Sequence, residues 1–593
     1  MLAVMRTFLR LIGIPGGLGL ITLGLFQSND RVWLALLWGG MALLGIGLAA
    51  ALQGFHGGVR RGVLNLSLVF SLLFGLLSAQ LLRTQFVQAD RIYDLTVQDQ
   101  SGSVTGNPRP VTRSLKVQRG AIYDRNNTQL VGSEAAPTGF ARRTYPVAQI
   151  ADIRAFSSIL GFTSPNYGQY GLEQQWDDYL NGTKGQPLRA VQDEVLNRPH
   201  IGNNMQLTLD ARLQAAVWDE VNRLAPGKAA SAIVFDPRSG AVLALVSVPG
   251  YDPQALTFDP FADDWEAMGA TIADYWGQIN ADPQSPLINR PLNGRYAPGS
   301  VFKTVTAVSA LMNPEVLEQP LLCPNEYRPD PNAPPVINAV GPPARPQQAS
   351  LESFIRQAFN NTVDLSGAYA FSCNTAFAEL GVRLGEERLT ATSRSFNFFP
   401  PREAPDYSPD FTDLPAEASL LALRGTFLAS PLAVADTAFG QGQLLVTPMQ
   451  MALVAGAIAN DGVLPEPYLV ERITDPEGAV AYQHAARPGL LQRRVMSSAV
   501  AAQMRELMRL GVTTGFGKAA AVAGQTVGGK SGSAQAGAGD DPNAIVHAWF
   551  IAIAPVEQPR YAVAVMIEDG RDGAGLGAVT AGAVLARAFA LEQ

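Results

Sequence analysis

Metal ligands and cross-links are scarce in this chain: its 593 residues include only four histidines (His56, His200, His484, His547) and two cysteines (Cys323, Cys373). Neither HExxH nor CxxC occurs, so the spacings that hold a zinc ion are missing and a zinc hydrolase is set aside. Two cysteines cannot frame a disulfide-built fold. Outside the cytoplasm they admit a single bridge, and a pair of buried free thiols is the other reading. Charge is also sparse. Charged residues make up 16% of the chain and the formal net charge is −7, which does not suggest nucleic acid as a partner.

What is abundant first is apolar sequence. Runs at residues 8–26, 32–52 and 61–82 each approach the ~20 residues that span a bilayer, and a cleaved signal peptide would account for only one of them. Arg6 and Arg10 precede the first run, Arg60 and Arg61 lie between the second and third, and the first loop carries only Asp30 and Arg31. By the positive-inside rule the N-terminus is cytoplasmic, residues 1–83 cross three times, and everything beyond lies outside. Glycines and Pro15 in the first run leave a second arrangement open, with the third run as sole anchor behind a membrane-associated hairpin.

The remaining length suits two further domains. Residues 84–118 turn polar and predict a juxtamembrane helix followed by an extended segment. Residues 119–128 alternate like a strand and end in an Asx-rich turn, a hairpin with Arg119 and Arg125 on its surface. Gly171-Leu172-Glu173-Gln174 opens an amphipathic helix carrying Trp176, Tyr179 and Leu180, which stops at Asn181-Gly182. No nucleophile, phosphate or metal pattern occurs between 84 and 203, so this stretch reads as a packing and interaction module. From Met205 the texture changes. A short strand at 207–210 enters a capped helix at 212–224, and two continuous apolar strands, 230–235 and 241–248, flank the turn Asp236-Pro237-Arg238-Ser239-Gly240. They predict an antiparallel pair in a sheet covered on both faces. A surface excursion rich in Asp, Pro and Trp follows.

Three short patterns then carry chemistry. In Tyr296-Ala297-Pro298-Gly299-Ser300-Val301-Phe302-Lys303 a hydroxyl and an amine stand three apart at the start of an apolar helix, so they share a face. Ser300 becomes a nucleophile if a desolvated, neutral Lys303 takes its proton; a solvated helix face is the ordinary alternative. In Ser372-Cys373-Asn374, ahead of a helical run at 376–384, Ser372 can relay a proton, while the Asn374 amide can orient a lysine and bind a carbonyl; an N-cap is the plain alternative. In Gly528-Gly529-Lys530-Ser531-Gly532-Ser533 the glycines allow close approach to an edge strand, and Lys530 and Ser531 offer a cation and a hydroxyl to a carboxylate. A Gly/Ser linker is the competing reading, weakened by the hairpin predicted at 547–554 and 561–567.

Ser300-x-x-Lys303, Ser372-x-Asn374 and Lys530-Ser531-Gly532, in that order, match the motif set of serine-acylated penicillin-recognising enzymes. The flanks Arg119-Gly120-x-Ile122-x-Asp124-Arg125, Gly171-Leu172-Glu173, Leu207-Thr208-Leu209-Asp210, Gly440-Gln441-Gly442 with Thr447-Pro448-x-Gln450, and His547-Ala548-Trp549-Phe550 narrow this further. The chain resembles a class B penicillin-binding protein of the elongation or division type over roughly residues 84–590. The resemblance implies an α/β (α+β) fold: N-terminal transmembrane helices, a small β-rich pedestal at 84–203, and a penicillin-binding transpeptidase domain at 204–593 with an antiparallel sheet flanked by helices. It implies a peptidoglycan D,D-transpeptidase that needs no cofactor or metal. Ser300 is then the nucleophile, Lys303 its base and Ser372 the proton relay. Asn374, Lys530, Ser531, Gly532 and Ser533 hold substrate, with backbone N–H groups of Ser300 and Ser533 forming the oxyanion site. Stem peptides and β-lactam antibiotics are the implied ligands, and a SEDS-type membrane glycosyltransferase the implied partner. A penicillin-binding sensor, a non-catalytic scaffold and a D,D-carboxypeptidase are the alternatives. Cys373 lies inside the second motif, so a bridge to Cys323 would pin that loop near Ser300. The family usually has one membrane anchor, and serine replaces its more usual threonine at 531 and 533.

Overall fold

The computed structural model describes residues 2–27, 29–52, 58–88, 96–98, 104–106, 108–185, 189, 193, 196, 198–332, 334–338, 362–485, 493–536 and 544–592. They form two compact units, Met1–Ser114 and Leu115–Gln593.

In the first unit the three apolar runs are the helices Leu2–Leu25, Asp30–Leu52 and Gly58–Leu82, each containing a stretch long and apolar enough to cross a membrane. The glycines of the first run have a packing reason. A Cβ on Gly13 would lie 2.8 Å from the Gly47 Cα, and one on Gly17 2.6 Å from the Gly40 carbonyl oxygen. The first two helices therefore meet backbone to backbone, the small-residue contact that replaces hydrophobic association where the surroundings are already apolar. Pro15 sits inside the first helix without ending it. The Arg10 guanidinium donates to the Ala50 carbonyl at the end of the second helix (2.9 Å), and the Trp33 indole N–H donates to Gln80 of the third (2.7 Å). The centre of the expected juxtamembrane helix, around Ile92 and Leu95, falls outside the described residues. Beyond it the strands Thr96–Gln98 and Val104–Gly106 pair, and a helix spans Pro108–Ser114.

The second unit is built on two sheets. The smaller runs in the order Val480–Gln483, Val470–Thr474, Asn204–Leu207, Ile122–Tyr123, Gln129–Ala135, Ala141–Thr144, so two of its strands come from far along the chain. Here one expectation is corrected: Arg119 is not a surface residue. It is 8% exposed, its Nε donates to Glu173 (2.7 Å), and Arg143 donates to the other Glu173 oxygen (2.6 Å). Burial alone would raise the Glu173 pKa, but the two guanidiniums more than reverse this and hold the carboxyl below its ordinary range. Arg125 does remain exposed. The amphipathic helix after Gly171 is two short pieces, Leu172–Gln175 and Asp177–Leu180. Trp176 breaks it with φ −115°, and its indole N–H donates to the Asp413 carbonyl (3.0 Å).

The larger sheet is wholly antiparallel, in the order Val242–Val248, Ala230–Phe235, Tyr561–Ile567, Ile545–Ala554, Gly528–Ala536. Every residue of the first three strands is buried, as continuous apolar strings require when both faces are covered. One pair of helices, Ala211–Leu224 and Ala578–Ala590, packs on this sheet, and so does another, Pro448–Ala459 and Ser498–Thr513. The C-terminal helical stretch Gly573–Ala590 is also long and apolar enough to cross a membrane, yet Ala581, Val584, Leu585 and Ala588 are buried in the core beside the strands. The excursion before Ser300 contains the helix Trp265–Ala281, capped by Asp264. Among the described residues no strand pairs with the outer side of the edge strand Gly528–Ala536, and the reactive groups gather there.

Candidate active site

Ser300 and Lys303 meet through a tighter turn than an α-helix. Gly299–Phe302 is a 3-10 turn that runs into the α-helix Lys303–Met312, and three residues per turn places i and i+3 directly above one another. Lys303 Nζ lies 3.0 Å from Ser300 Oγ. The turn is held where only glycine fits. Gly299 has φ +57°, and a Cβ there would lie 2.6 Å from the Ser533 carbonyl oxygen. Its N–H donates to the Gly440 carbonyl (2.9 Å), and a Cβ on Gly440 (φ +94°) would lie 1.8 Å from the Gly299 oxygen.

The second pattern closes on the same amine. Ser372 takes a positive φ of 55° after the helix Leu365–Ala370, an uncommon conformation for a non-glycine residue. Lys303 Nζ donates to the Ser372 carbonyl (2.7 Å) and to Asn374 Oδ1 (2.6 Å), and Ser372 Oγ lies 3.2 Å away. The helix Asn374–Ser395 is capped by neither Ser372 nor Asn374 but by Cys373, whose sulfur accepts from the Ala376 N–H (3.4 Å). Both polar side chains are thereby left to the lysine. The two cysteines are bonded, with Cα atoms 6.1 Å apart, which ties this loop to residue 323. The Asn374 amide also donates to the Ile337 carbonyl (3.0 Å).

The third wall is the edge strand. Lys530 Nζ donates to Ser372 Oγ (2.8 Å) and to the Ser531 carbonyl (3.0 Å), so it lies deep in the cleft rather than projecting as a free cation. A Cβ on Gly532 would lie 2.9 Å from the Pro298 carbonyl oxygen, which explains a glycine where strand and catalytic turn nearly touch. Ser533 Oγ accepts from the Gly573 N–H (3.1 Å). The structure thus brings all the sequence-predicted site residues to one cleft.

Burial, and secondarily the neighbouring Lys530 charge, push Lys303 well below the ordinary ammonium pKa. Burial also brings Lys530 down to about 7. A neutral amine has two N–H donors and one lone pair. The Ser372 carbonyl and Asn374 Oδ1 can only accept, so they take both donors. The lone pair is left for a hydroxyl, and Ser300 presents one.

Comparison with known proteins supplies the family. The family model described as the penicillin-binding protein transpeptidase domain matches residues 230–334 and 335–589, and the penicillin-binding protein A dimerisation domain matches 119–205. The chain belongs to the penicillin-binding protein transpeptidases. It is 33% identical over 474 residues to the peptidoglycan D,D-transpeptidase PbpA of Mycolicibacterium smegmatis, covering 79% of this chain and 87% of the relative. Among solved structures, penicillin-binding protein A from M. tuberculosis aligns at 30% identity with TM-score 0.68, covering 80% of this chain and 100% of that one. Its penicillin G acyl-enzyme complex aligns at 30% identity with TM-score 0.67 and the same coverage.

Several supports of this penicillin-binding protein's cleft escape sequence reading. Lys303 Nζ lies 5.6 Å from the Phe377 ring centroid and Lys530 Nζ 5.7 Å from that of Tyr369, apolar walls that desolvate both amines. The Tyr369 hydroxyl is paired with Thr304 Oγ1 (3.0 Å). Tyr369 and Phe377 look like core positions in the chain, and only the fold sets them against lysines. Gly440 and Tyr296 stand within recognisable motifs, but their partners Gly299 and Glu568 are remote in sequence. Two cavities of about 420 and 390 Å³ lie around Arg125, Asp236 and Leu243 and contain none of the reactive groups.

Proposed function

We propose that this chain is a peptidoglycan D,D-transpeptidase that crosslinks stem peptides through a serine acyl-enzyme and is trapped by β-lactams. The observation that carries the reading is the saturation of both Lys303 N–H donors by obligate acceptors, which aims its lone pair at Ser300 Oγ (3.0 Å). Lys303 takes the Ser300 proton as the oxygen attacks the penultimate D-alanine carbonyl. The resulting oxyanion sits between the backbone N–H groups of Ser300 and Ser533, donors whose loss typically costs ~10²-fold or more in rate. Ser372, within reach of both lysine amines, passes the proton to the leaving D-alanine nitrogen. The acceptor amine then attacks the acyl-enzyme, returns a proton along the same path and frees Ser300 as the new amide forms. Asn374 holds the substrate amide. Ser531, with the Lys530 charge behind it, holds the terminal carboxylate, and Gly532 lets the peptide lie close to the strand.

The M. tuberculosis relative forms acyl-enzymes with penicillin G and imipenem, and the same chemistry at Ser300 is expected here. Ser300→Ala should abolish labelling by a fluorescent penicillin; one label per chain persisting in that variant would sink the assignment. With purified lipid-linked peptidoglycan substrate the product should be crosslinked, and release of D-alanine without crosslinks would make the chain a carboxypeptidase instead. The domain plan follows: residues 1–83 cross the membrane three times with the N-terminus in the cytoplasm, 84–203 form the pedestal, and 204–593 form the extracytoplasmic catalytic domain. A SEDS-type glycosyltransferase that supplies strands is the fitting partner for the membrane helices and pedestal. Protease protection of epitope tags at residue 1 and at residue 593 tests the orientation.

A further inference from the structure

Ser300 and the strand carrying Ser533 belong to different elements, so something must fix their separation. The segment 568–573, which links the strand Tyr561–Ile567 to the C-terminal helical stretch, reaches Tyr296, four residues before Ser300, and Ser533 itself. At its start the Glu568 carboxylate accepts from the Tyr296 hydroxyl (2.8 Å) and from Arg290 Nε (2.7 Å). Tyr296 opens the catalytic turn and is itself paired with Val446 in both directions (2.9 and 2.8 Å). At its end the Gly573 N–H donates to Ser533 Oγ (3.1 Å), and a Cβ on Gly573 would lie 1.9 Å from the Gly532 carbonyl oxygen. Between these anchors Asp569 (φ +46°) and Arg571 (φ +62°) both hold left-handed backbone without being glycine. Such conformations persist only where their surroundings over-determine them. The surroundings are here: Asp569 pairs with Lys228 (2.8 Å), the Glu568 N–H donates to the Ala229 carbonyl (2.8 Å), and the Arg571 N–H donates to the Val546 carbonyl (2.8 Å).

We propose that segment 568–573 is a rigid strap setting the distance between the Ser300 and Ser533 backbone donors, and that Tyr296 and Glu568 are positioning residues for acyl transfer. Neither touches the reacting atoms. They act by preventing the catalytic turn from rotating away from the edge strand, and a misplacement of about 1 Å in such a site costs on the order of 10²-fold. The strap rests on the reading of Ser300 as nucleophile and adds the device that places it.

The test uses the full chain in detergent and separates initial binding of a fluorescent penicillin from the acylation step by stopped-flow. Tyr296→Phe keeps the ring between His547 and Trp549, with centroids 5.2 and 6.3 Å away, but removes the bond to Glu568. Its acylation rate constant should fall about tenfold or more, with the initial dissociation constant within twofold of the parent's. Glu568→Gln keeps an acceptor for Tyr296 and should recover most of the rate, whereas Glu568→Ala should not. If Tyr296→Phe does not fold, Glu568→Ala against Glu568→Gln decides alone. Acylation within twofold of the parent in Tyr296→Phe or Glu568→Ala overturns the strap, as does a loss that falls on initial binding. A parent chain that is never labelled overturns the nucleophile reading and the strap with it.

Discussion

Replacing Lys530 by methionine should stabilise this protein while slowing its chemistry. Lys530 is 2% exposed, and burial lowers its pKa from 10.5 to about 7. Below pH 6 the folded state must keep a buried ammonium that the unfolded chain keeps in water. At about 1.4 kcal/mol per pH unit this costs about 5 kcal/mol. Methionine removes that cost and also loses the bonds to Ser372 Oγ and the Ser531 carbonyl, together about 2 kcal/mol. A net gain of about 3 kcal/mol remains. For a folded unit the size of Leu115–Gln593, at about 2 cal/mol/K of unfolding entropy per residue, it raises Tm by about 3 °C. The pH dependence identifies the source. Between about pH 7 and 10.5 the folded parent binds fewer protons than the unfolded chain, so the parent gains stability as pH rises through that window and the variant does not. The variant's advantage is therefore full below pH 6, shrinks above 7, is gone near 9 and gives way to a deficit of about 2 kcal/mol above 10.5. Differential scanning calorimetry of the detergent-solubilised chain at pH 6, 8 and 9.5 measures it. A variant less stable than the parent at pH 6, or an advantage that does not change with pH, would refute the argument that the cleft stores desolvation energy in this lysine.

The neutral base predicts that penicillin acylation persists at pH values far below the ordinary lysine range, since Lys303 is held well below 10.5. The rate should fall only as acid protonates it, and Lys530→Met, by removing a neighbouring charge, should move that acid limb to higher pH; a limb at pH 10 in the parent would reject a neutral Lys303. Breaking the Cys323–Cys373 bridge, which closes a loop across 50 residues, with the double variant Cys323→Ser, Cys373→Ser removes about 4 kcal/mol of loop-closure stabilisation and should slow acylation through the Ser372 loop, read as lower Tm and slower labelling. Glu173→Gln leaves Arg119 and Arg143 buried without their shared carboxylate and should cost about 3–5 kcal/mol. The parent's own pairing energy is present above the ordinary carboxylate pKa and is lost as pH falls through the lower folded value, so parent and variant should converge in Tm at acid pH. Gly440→Ala would drive a Cβ to 1.8 Å from the Gly299 oxygen and should lose labelling by at least tenfold, with the pedestal's proteolytic resistance retained.

What could be read from the chain and what could not divide along a physical line. Ser300 with Lys303, Ser372 with Asn374, and Lys530 with Ser531 are each placed by one short backbone piece, so a local string of residue types carries the geometry. The continuous apolar strands 230–235 and 561–567 are legible for the same reason, because burial on both faces removes polar residues from every position. Arg119 defeats the local view. Its string is that of a surface hairpin, and it is buried because Glu173, 54 residues on, sits opposite it (2.7 Å). The strands Val470–Thr474 and Val480–Gln483 join the pedestal sheet through Asn204–Leu207, a pairing that no periodicity near either segment announces. The neutral Lys303 is the sharpest case. Its position is local, but its protonation state comes from burial beside Phe377 and from the Lys530 charge, which a helix and an edge strand remote in sequence deliver. A serine-lysine spacing therefore names the candidate pair, and only the long-range closure of the cleft turns the lysine into a base. Sequence alone can find the nucleophile here but not what activates it, which is why the substitutions that discriminate best lie at Lys530, Tyr296 and Glu568 rather than at Ser300.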